Sequence, residues 1–302
     1  MDKDNYLSKV AKKLGLDPKD ISILSRPNSI VYKYTHNNQT FALKVSLIDT
    51  LETEVFFIKT LNANFIPSQL LVAYDFSKEI IPCSFIITRW INGDSFIGHI
   101  NDEISFKGGI EYGKELVKMH EIKTGGYGVP LDPLGKKWSS KNWNRALISF
   151  ISKNIKKETP LKIFDKETIN SISRMTYFNS KLSINEPKLI HGDLPNCLAQ
   201  KKPEVKLLAL IDPGGIVGGD PMYDLSFIYN YDENGYFGEG FMNGLLKGYT
   251  DQKKLSPSEI YRFKCLRLFH LYWKTCFFYD KKWNHNFLMS ETNEYLKVLT
   301  QS

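Results

Sequence analysis

The most informative part of the sequence reads LIHGDLPNCLA at residues 189–199 and LLALIDPGGIVGGDPMYDLSFI at residues 207–228. Two runs within it, residues 197–200 and 205–212, have the apolar pattern of short strands, and the polar residues between them favour a turn. The two strands should pair as a hairpin, which places the ends of the segment side by side. Chemical groups at those ends are therefore expected at one site.

Two carboxylates lie at the ends of this predicted hairpin. Transfer of a phosphoryl group from ATP needs a carboxylate beside the attacking hydroxyl, and oxygen ligands that hold magnesium on the phosphates. Asp193 and Asp212 supply the carboxylates, and Asn196 can add an amide oxygen. Oxygen ligands with few nitrogens or sulfurs suit magnesium rather than zinc. The segment thus contains the groups that phosphoryl transfer from ATP with Mg2+ requires.

The blocks HGD, Asn, a hydrophobic strand, ID-x-G and GDPxxDL follow one another as in aminoglycoside phosphotransferases and choline-kinase-like proteins, and the chain resembles this superfamily. The resemblance implies a protein-kinase-like bilobal α+β fold, with a small antiparallel-sheet lobe and a large, mainly helical lobe that carries the catalytic hairpin. It also implies a role for each motif residue. Asp193 would be the catalytic base, Asn196 and Asp212 would bind the metal, and His191 and Asp224 would support the catalytic loop.

The catalytic loop is shorter than in the family pattern. Asn usually follows the catalytic Asp by five positions in that pattern, whereas Asn196 follows Asp193 by three. Two missing residues remove up to roughly 7 Å of extended chain. This shortening affects the expected metal coordination by Asn196 more than it affects the positions of Asp193 and Asp212. A second hypothesis is therefore open, that the chain is a catalytically impaired pseudokinase that binds nucleotide or a partner.

A lysine in the amino-terminal part indicates where the phosphates would bind. Lys44 lies in the apolar strand pattern of residues 40–46, where an ammonium is costly unless it meets an anion. Residues 52–63 have helical spacing, and Glu54 is the expected partner, with Glu52 as the alternative. A Lys and Glu pair orients the α- and β-phosphates in kinases, and the resemblance extends to this pair.

Two short segments complete the predicted nucleotide site. Neither GxxxxGK[ST] nor GxGxxG occurs in the sequence, so the turn with Asn28 and Ser29 is the candidate phosphate contact, through backbone N–H groups and the serine hydroxyl. The segment ITRWINGD resembles the hinge between the two lobes of the family. Main-chain groups of Arg89, Trp90 and Ile91 are the candidates for hydrogen bonds to adenine.

Changes in pattern divide the chain into two domains. Residues 1–92 are expected to form the nucleotide-binding lobe, and residues 93–302 the catalytic and substrate-binding lobe, with a helical insertion at about 133–185. The helix GKELVKMHEI in the second lobe matches a family pattern, and its His120 is expected to be a core residue. Further elements are predicted as strands at 70–76 and 84–90 and as helices at 106–120 and 259–279.

Composition limits the location and the partners. No stretch of the 302 residues approaches the roughly 20 uninterrupted apolar residues of a membrane helix, and the amino terminus is charged throughout. The four cysteines form no CxxC pair. These features predict a cytoplasmic protein with no membrane partner and reduced cysteines, and they leave monomer and homodimer both open.

The charge is unevenly spread. The formal net charge is +7, and residues 133–188 hold 12 Lys and Arg against 4 Asp and Glu. Aromatic residues are not interleaved regularly with these charges, so a nucleic-acid partner is a minority hypothesis and a solvated helical face is favoured. A polycationic aminoglycoside prefers acidic walls, so the basic charge weakens an aminoglycoside as the hydroxyl substrate without excluding it. A sugar, choline or an amino alcohol also stays open. The candidate carboxylates near the acceptor are Asp232, Glu233, Glu239 and Asp280.

Overall fold

The structure is a computed structural model, and it describes residues 6–26, 28–48, 51–94, 102–194, 196–227 and 239–301. A five-stranded antiparallel sheet forms the base of an amino-terminal lobe. A larger and mainly helical lobe follows it. The fold is therefore the predicted bilobal α+β architecture.

The sheet of the amino-terminal lobe has a central strand that one of the two helices of this lobe faces. The strand order is β1-β2-β3-β5-β4, so β3 has neighbours on both sides. This strand carries Lys44. The elements are α1 (Tyr6–Leu14), β1 (Lys19–Arg26), β2 (Ser29–His36), β3 (Gln39–Ser46), α2 (Glu52–Ala63), β4 (Leu71–Asp75) and β5 (Phe85–Arg89).

The hairpin formed by β2 and β3 sets the position of Lys44. Its turn residues, Asn37 and Asn38, have φ of 48° and 58°, which asparagine tolerates and which a two-residue turn between twisted strands requires. The resulting register pairs Lys44 with Ile86 of β5. Ile86 packs in one cluster with Val55 of α2, so α2 lies on the face of the sheet that carries Lys44.

The carboxyl-terminal lobe contains both the predicted hairpin and the predicted helical insertion. Its elements are α3 (Asp102–Glu121), β6 (Tyr127–Pro130), β7 (Trp138–Ser140), α4 (Trp143–Asn154), α5 (Pro160–Ile163), α6 (Lys166–Met175), β8 (Lys188–Leu189), β9 (Cys197–Gln200), β10 (Lys206–Leu210), β11 (Gly218–Gly219), α7 (Met222–Leu225), α8 (Glu239–Thr250), α9 (Pro257–Asp280) and α10 (Asn286–Gln301). Across the part of the chain that the structure describes, every helix is too short or too polar to cross a bilayer.

A core of large side chains holds the helices of this lobe together. Tyr112 of α3, Trp143 of α4, Phe241 of α8 and Phe269 of α9 are all buried in one cluster. Helix α9 is 24 residues long and begins with a capping box, in which Ser256 and Glu259 bond each other's backbone N–H groups. The length and the cap give this helix a fixed course through the core.

The predicted hairpin is confirmed, and it lies against the segment that joins the lobes. Strands β9 and β10 pair antiparallel. Ala199 of β9 exchanges backbone hydrogen bonds of 2.8 and 2.9 Å with Asp94, and Leu210 N–H donates to the Pro67 carbonyl at 3.0 Å. Strand β10 ends at Leu210, earlier than the predicted residue 212. Asp212 therefore lies in the loop after the strand, at the entrance to the cleft between the lobes.

Candidate active site

Two glycines bring the loops at the ends of the hairpin into direct contact. Gly192 has φ +77°, and a Cβ there would overlap the carbonyl oxygen of Ile216. A Cβ on Gly214 would overlap the carbonyl oxygen of Gly192, and Gly214 N–H donates to the His191 carbonyl at 2.8 Å. The glycines of the HGD and DPG sequences are therefore required by close approach of backbone to backbone. This contact places the two aspartates at one point.

The shortened loop still brings Asn196 next to both aspartates. Its amide nitrogen donates to Asp193 Oδ2 at 2.9 Å and to the backbone carbonyl of Asp212 at 3.4 Å. The Asn196 carbonyl accepts from Ile211 N–H at 3.2 Å, which ties the loop to the second strand. Because the amide nitrogen faces Asp193, the amide oxygen is the atom left to coordinate a cation. Asp193, Asn196 and Asp212 thus lie together as predicted, and their roles remain predictions.

The Asp193 side chain is exposed, and its carboxylate accepts a hydrogen bond from the Asn196 amide. Loss of hydration beside the surrounding protein raises the pKa of its carboxyl to about 6, with the charges of Asp212 and Asp224 adding to the rise and Lys274 and the Asn196 hydrogen bond opposing it. A carboxylate with a pKa close to neutral pH is suited to accept a proton from a substrate hydroxyl.

Lys44 connects the two lobes. Its ammonium donates to Glu54 Oε2 at 2.7 Å and to Asp212 Oδ1 at 2.5 Å. Glu54 is therefore the partner, and Glu52 is not. Burial would lower the pKa of Lys44, but the two carboxylates raise it above its ordinary value, so the side chain is a cation.

Asp212 combines a strained backbone with a stable negative charge. Its φ of 50° lies in the left-handed region, which is uncommon for a residue with a side chain. Burial alone would raise the pKa of its carboxyl, but Lys44 outweighs burial and lowers the pKa below its usual value. The ionised carboxylate of Asp212 and the amide oxygen of Asn196 form an oxygen donor set, which fits Mg2+.

Asp224 holds the backbone of the loop that carries Asp193. The carboxylate is fully buried and accepts from His191 N–H at 2.6 Å and from Gly192 N–H at 2.8 Å. The ring of His120, buried as expected, lies 3.1 Å from the same carboxylate and 3.1 Å from the Tyr249 hydroxyl. The sequence predicted Asp224 as loop support and gave no sign that His120 shares this carboxylate.

His191 has the geometry of a structural residue. Its Nε2 lies 2.9 Å from the Ile211 carbonyl oxygen, so this nitrogen carries the proton and donates it. The other ring nitrogen faces the Asp193 backbone N–H at 3.4 Å. Burial lowers the pKa of the imidazole, which is therefore neutral. Both ring nitrogens make contacts with the backbone of the site, and the role of His191 as loop support stays a prediction.

A cavity of about 860 Å³ adjoins these residues. Asn28, Ser29 and Lys44 line it on the amino-terminal side, and residues 213–216 and Phe150 of α4 line it on the other side. The predicted phosphate-binding turn and the Lys44 ammonium therefore face the same space as the loop that follows Asp212. The predicted insertion forms part of the opposite wall.

Backbone hydrogen bonds in the hinge segment limit which N–H groups are available to adenine. Arg89 N–H donates to the Leu70 carbonyl at 2.9 Å, and Trp90 N–H donates to the Thr40 carbonyl at 3.0 Å. Both donors are already used by the sheet, so neither is available for a purine base. Among the described residues, no hydrogen bond uses the N–H of Ile91. Of the three predicted residues, Ile91 thus supplies the available donor.

Of the acidic residues that were candidates for a cationic acceptor, Asp280 is the one whose side chain the structure describes, and it lies away from the cavity. Asp280 accepts from the Lys156 backbone N–H at 3.1 Å and from the Thr159 hydroxyl at 2.6 Å. It lies in a separate surface pocket with Lys156, Lys162 and Lys282. The side chains of Asp232, Glu233 and Glu239 lie outside the part of the chain that the structure describes.

Lys274 of α9 is a residue of this region that the sequence prediction missed. The side chain is buried, with its ammonium 4.0 Å from the centre of the Phe227 ring. Burial lowers the pKa of the amine to about 7, against an opposing effect of the Asp193 charge. A signal was present, because Lys274 lies in the apolar run HLYWKTCFF, and the argument that singled out Lys44 applies equally to it.

Comparison with known proteins gives matches in structure and none in sequence. No family model and no curated protein matches the chain. The crystal structure of a thermostable mutant of the aminoglycoside phosphotransferase APH(4)-Ia, in its apo form, matches with a TM-score of 0.67 at 14% identity, over 98% of this chain and 99% of that one. A further mutant of the same enzyme, in a ternary complex with AMP-PNP and hygromycin B, matches with a TM-score of 0.66 at 12% identity. The match covers 97% of this chain and 98% of that one.

A third match broadens the comparison. A candidate fructosamine-3-kinase from Thermobifida fusca YX-ER1 has a TM-score of 0.66 at 14% identity, over 98% of both chains. The chain therefore has the kinase-like fold that the aminoglycoside phosphotransferase and the candidate fructosamine-3-kinase share. The resemblance inferred from the motifs is confirmed at the level of the fold.

Proposed function

We propose that the protein is an ATP-dependent small-molecule kinase that transfers the γ-phosphoryl group to a hydroxyl. The observation that carries this proposal is the Lys44 ammonium, which bonds Glu54 of one lobe and Asp212 of the other at the mouth of the cleft. Kinases hold the phosphates of ATP with such a lysine and bind the metal with such an aspartate. Asp193 and Asn196 lie beside Asp212, where the acceptor would enter.

The nucleotide would lie in the cleft with its phosphates at Lys44. Glu54 already orients the ammonium. Lys44 can therefore bind the α- and β-phosphates with little further loss of side-chain conformational entropy. The turn at Asn28 and Ser29 lines the same cavity and offers backbone N–H groups and a hydroxyl to the phosphate oxygens. Ile91 N–H is the candidate donor to the base.

Asp212 and Asn196 would hold Mg2+. When bound there, Mg2+ neutralises negative charge on the phosphates of the nucleotide. The Lys44 ammonium keeps Asp212 ionised, and Asp193 accepts the Asn196 amide N–H, which fixes the orientation of the amide. The chain therefore prepares both oxygen donors before the cation arrives.

Asp193 would act as the general base. At neutral pH a carboxyl group with a pKa of about 6 is mostly ionised, and it can take the proton of the acceptor hydroxyl onto one oxygen. The hydroxyl oxygen then bonds to the γ-phosphorus while the bond to the β-γ bridging oxygen breaks and ADP leaves. Asp224 contributes by holding the backbone of His191 and Gly192 rigid.

The acceptor is proposed to be an aminoglycoside-like or other hydroxylated small molecule. The wall formed by α4 carries Ser149, Phe150 and Lys153, which offer a hydroxyl, an aromatic face and a positive charge. This wall does not favour a polycation. Neutral sugars and amino alcohols are therefore tested beside hygromycin B, which the APH(4)-Ia mutant binds in its ternary complex.

The experiment is a screen of hydroxyl compounds for magnesium-dependent release of ADP. The expected result is release with at least one compound, and a loss of about 10²- to 10⁴-fold in kcat for Asp193→Asn, with the affinity for an ATP analogue retained. Binding of the analogue without ADP release for any compound would support a pseudokinase instead. Retention of more than about a tenth of the turnover by Asp193→Asn would refute the assigned base.

A further inference from the structure

A second pocket lies on the carboxyl-terminal lobe, apart from the cleft. Its volume is about 380 Å³, which is within the usual range of sites for small molecules. Among the described residues, none lines both this pocket and the cleft cavity. Three lysines, three aromatic rings and one carboxylate line it, and we call it the basic pocket.

The basic pocket forms where two segments distant in the sequence are bonded to each other. Asp280, the last residue of α9, accepts from the Lys156 backbone N–H at 3.1 Å and from the buried Thr159 hydroxyl at 2.6 Å. Just past the helix, Trp283 N–H donates to the Phe278 carbonyl at 2.9 Å. These bonds fix the relative positions of the segments that supply the lysines and the rings.

Three ammonium groups of the basic pocket lack a counter-charge. Lys156 follows α4, Lys162 lies in α5 and Lys282 follows α9. In the part of the chain that the structure describes, none of these ammonium groups has an ion pair or a hydrogen bond. The Asp280 carboxylate is already used by its two donors. Like charges repel, so their convergence costs free energy unless an anion binds among them.

Lys282 also has an unfavourable backbone conformation. Its φ is 60°, in the left-handed region where a residue with a Cβ is strained. Helices usually end with glycine at such a position. A lysine in this conformation therefore points to a use for its side chain.

Trp283 supplies a ring that is held by protein and still accessible. It packs edge-to-face on the rings of Phe277 at 5.9 Å and Phe278 at 5.2 Å, yet the residue is 52% exposed. The rings of Tyr279 and His285, which also line the pocket, lie 5.1 Å from each other. A fixed aromatic ring beside free positive charges is suited to stack on a base whose phosphate meets the cations.

We propose that the basic pocket is a second ligand site, which binds a nucleotide with its phosphate at Lys156, Lys162 and Lys282 and its base on the Trp283 ring. The pocket is a compact space, whereas a strand of nucleic acid needs a groove that follows its backbone. The site is separate from the cleft, so this inference does not depend on the proposed kinase activity.

The first test is isothermal titration of the full chain with AMP, with adenosine and with ribose 5-phosphate. AMP should bind more tightly than either of the other two, because each of them supplies only one half of the contacts. Lys162→Met and Trp283→Leu should each raise the Kd for AMP about 3- to 10-fold. Lys157→Met is the matched control, because Lys157 belongs to the same basic segment but does not line the pocket. It should leave the affinity unchanged.

Lys44→Ala separates the basic pocket from the cleft. The site that Lys162→Met weakens should bind AMP equally well in Lys44→Ala. The reverse pattern, in which Lys44→Ala weakens AMP binding and the pocket variants do not, would overturn the proposal. So would ribose 5-phosphate that binds as tightly as AMP, or an RNA oligonucleotide that binds through Lys162 where AMP does not.

The second test uses Lys282→Gly and measures thermal unfolding beside AMP binding. Glycine relieves the strained backbone, so Tm should rise by roughly 1–2 °C. The Kd for AMP should nevertheless rise about 3- to 10-fold, because one ammonium is lost. A purely structural lysine would change Tm alone, and unchanged affinity in Lys282→Gly would therefore refute its part in the site.

Discussion

Replacing Asp224 with Asn should weaken both the fold and the catalytic loop. The carboxylate is fully buried and accepts from three donors, His191 N–H, Gly192 N–H and the His120 ring. An amide has one oxygen and one NH2 group. In the better orientation, the oxygen of the asparagine takes the Oδ2 position and keeps His191 and His120. Its NH2 group then faces the Gly192 N–H, so donor meets donor.

The expected destabilisation follows from these contacts. One buried donor left without an acceptor costs about 1–3 kcal/mol, and the two remaining hydrogen bonds lose the strength that a charged acceptor adds. Together we expect the free energy of unfolding to fall by about 2–4 kcal/mol. Gly192 would also lose the bond that fixes the residue before Asp193. We therefore expect kcat to fall at temperatures where the variant is still fully folded.

Urea unfolding at pH 7 measures the stability change, and the screen for ADP release measures kcat. Asp251→Asn is the matched control, because Asp251 bonds Lys247 at 2.7 Å on an exposed helix face. Exposed pairs of this kind contribute about 0–1 kcal/mol, so the control should change little. A change of less than about 0.5 kcal/mol for Asp224→Asn would refute the reasoning, because a surface substitution does no more.

Three further outcomes are expected. Across a magnesium titration, Asp212→Ala should abolish turnover while Asn196→Ala keeps part of it, because a carboxylate is the stronger ligand; equal losses at all metal concentrations would contradict this. Gly192→Ala should lower Tm and activity together, since a Cβ would overlap the Ile216 carbonyl and φ is +77°, and an unchanged Tm would contradict the close approach. Burial lowers the pKa of His270 well below 6.5, so only the unfolded chain takes up this proton; stability should fall as the pH drops below about 6.5, and His270→Gln should flatten that slope.

The elements that the sequence predicted are those with a local signal. Strand β3 follows from the apolar strand pattern of residues 40–46, and α2 follows from the helical spacing in residues 52–63. The catalytic hairpin was predictable for the same reason. Once a hairpin is recognised, the proximity of Asp193 and Asp212 follows from geometry, whatever the length of the loop between the aspartate and Asn196.

The features that the sequence could not indicate depend on contacts between distant segments. Whether Arg89 and Trp90 can offer N–H groups to a base depends on the register of β3 against β5 and on the chain before β4. Residue types at the hinge do not reveal this register. The bond between Lys44 and Asp212 likewise joins residues 168 positions apart, which no local periodicity can indicate.

Lys44 shows how a lysine in an apolar run of sequence is accommodated. Such a lysine requires a counter-charge from elsewhere in the fold, because an unpaired ammonium is costly away from water. The fold supplies two carboxylates, Glu54 from α2 of the small lobe and Asp212 from the end of the hairpin in the large lobe. The charge balance at Lys44 is therefore a property of both lobes. A lysine within an apolar strand is a sequence signal for acidic partners, and one of these partners lies far away in the chain.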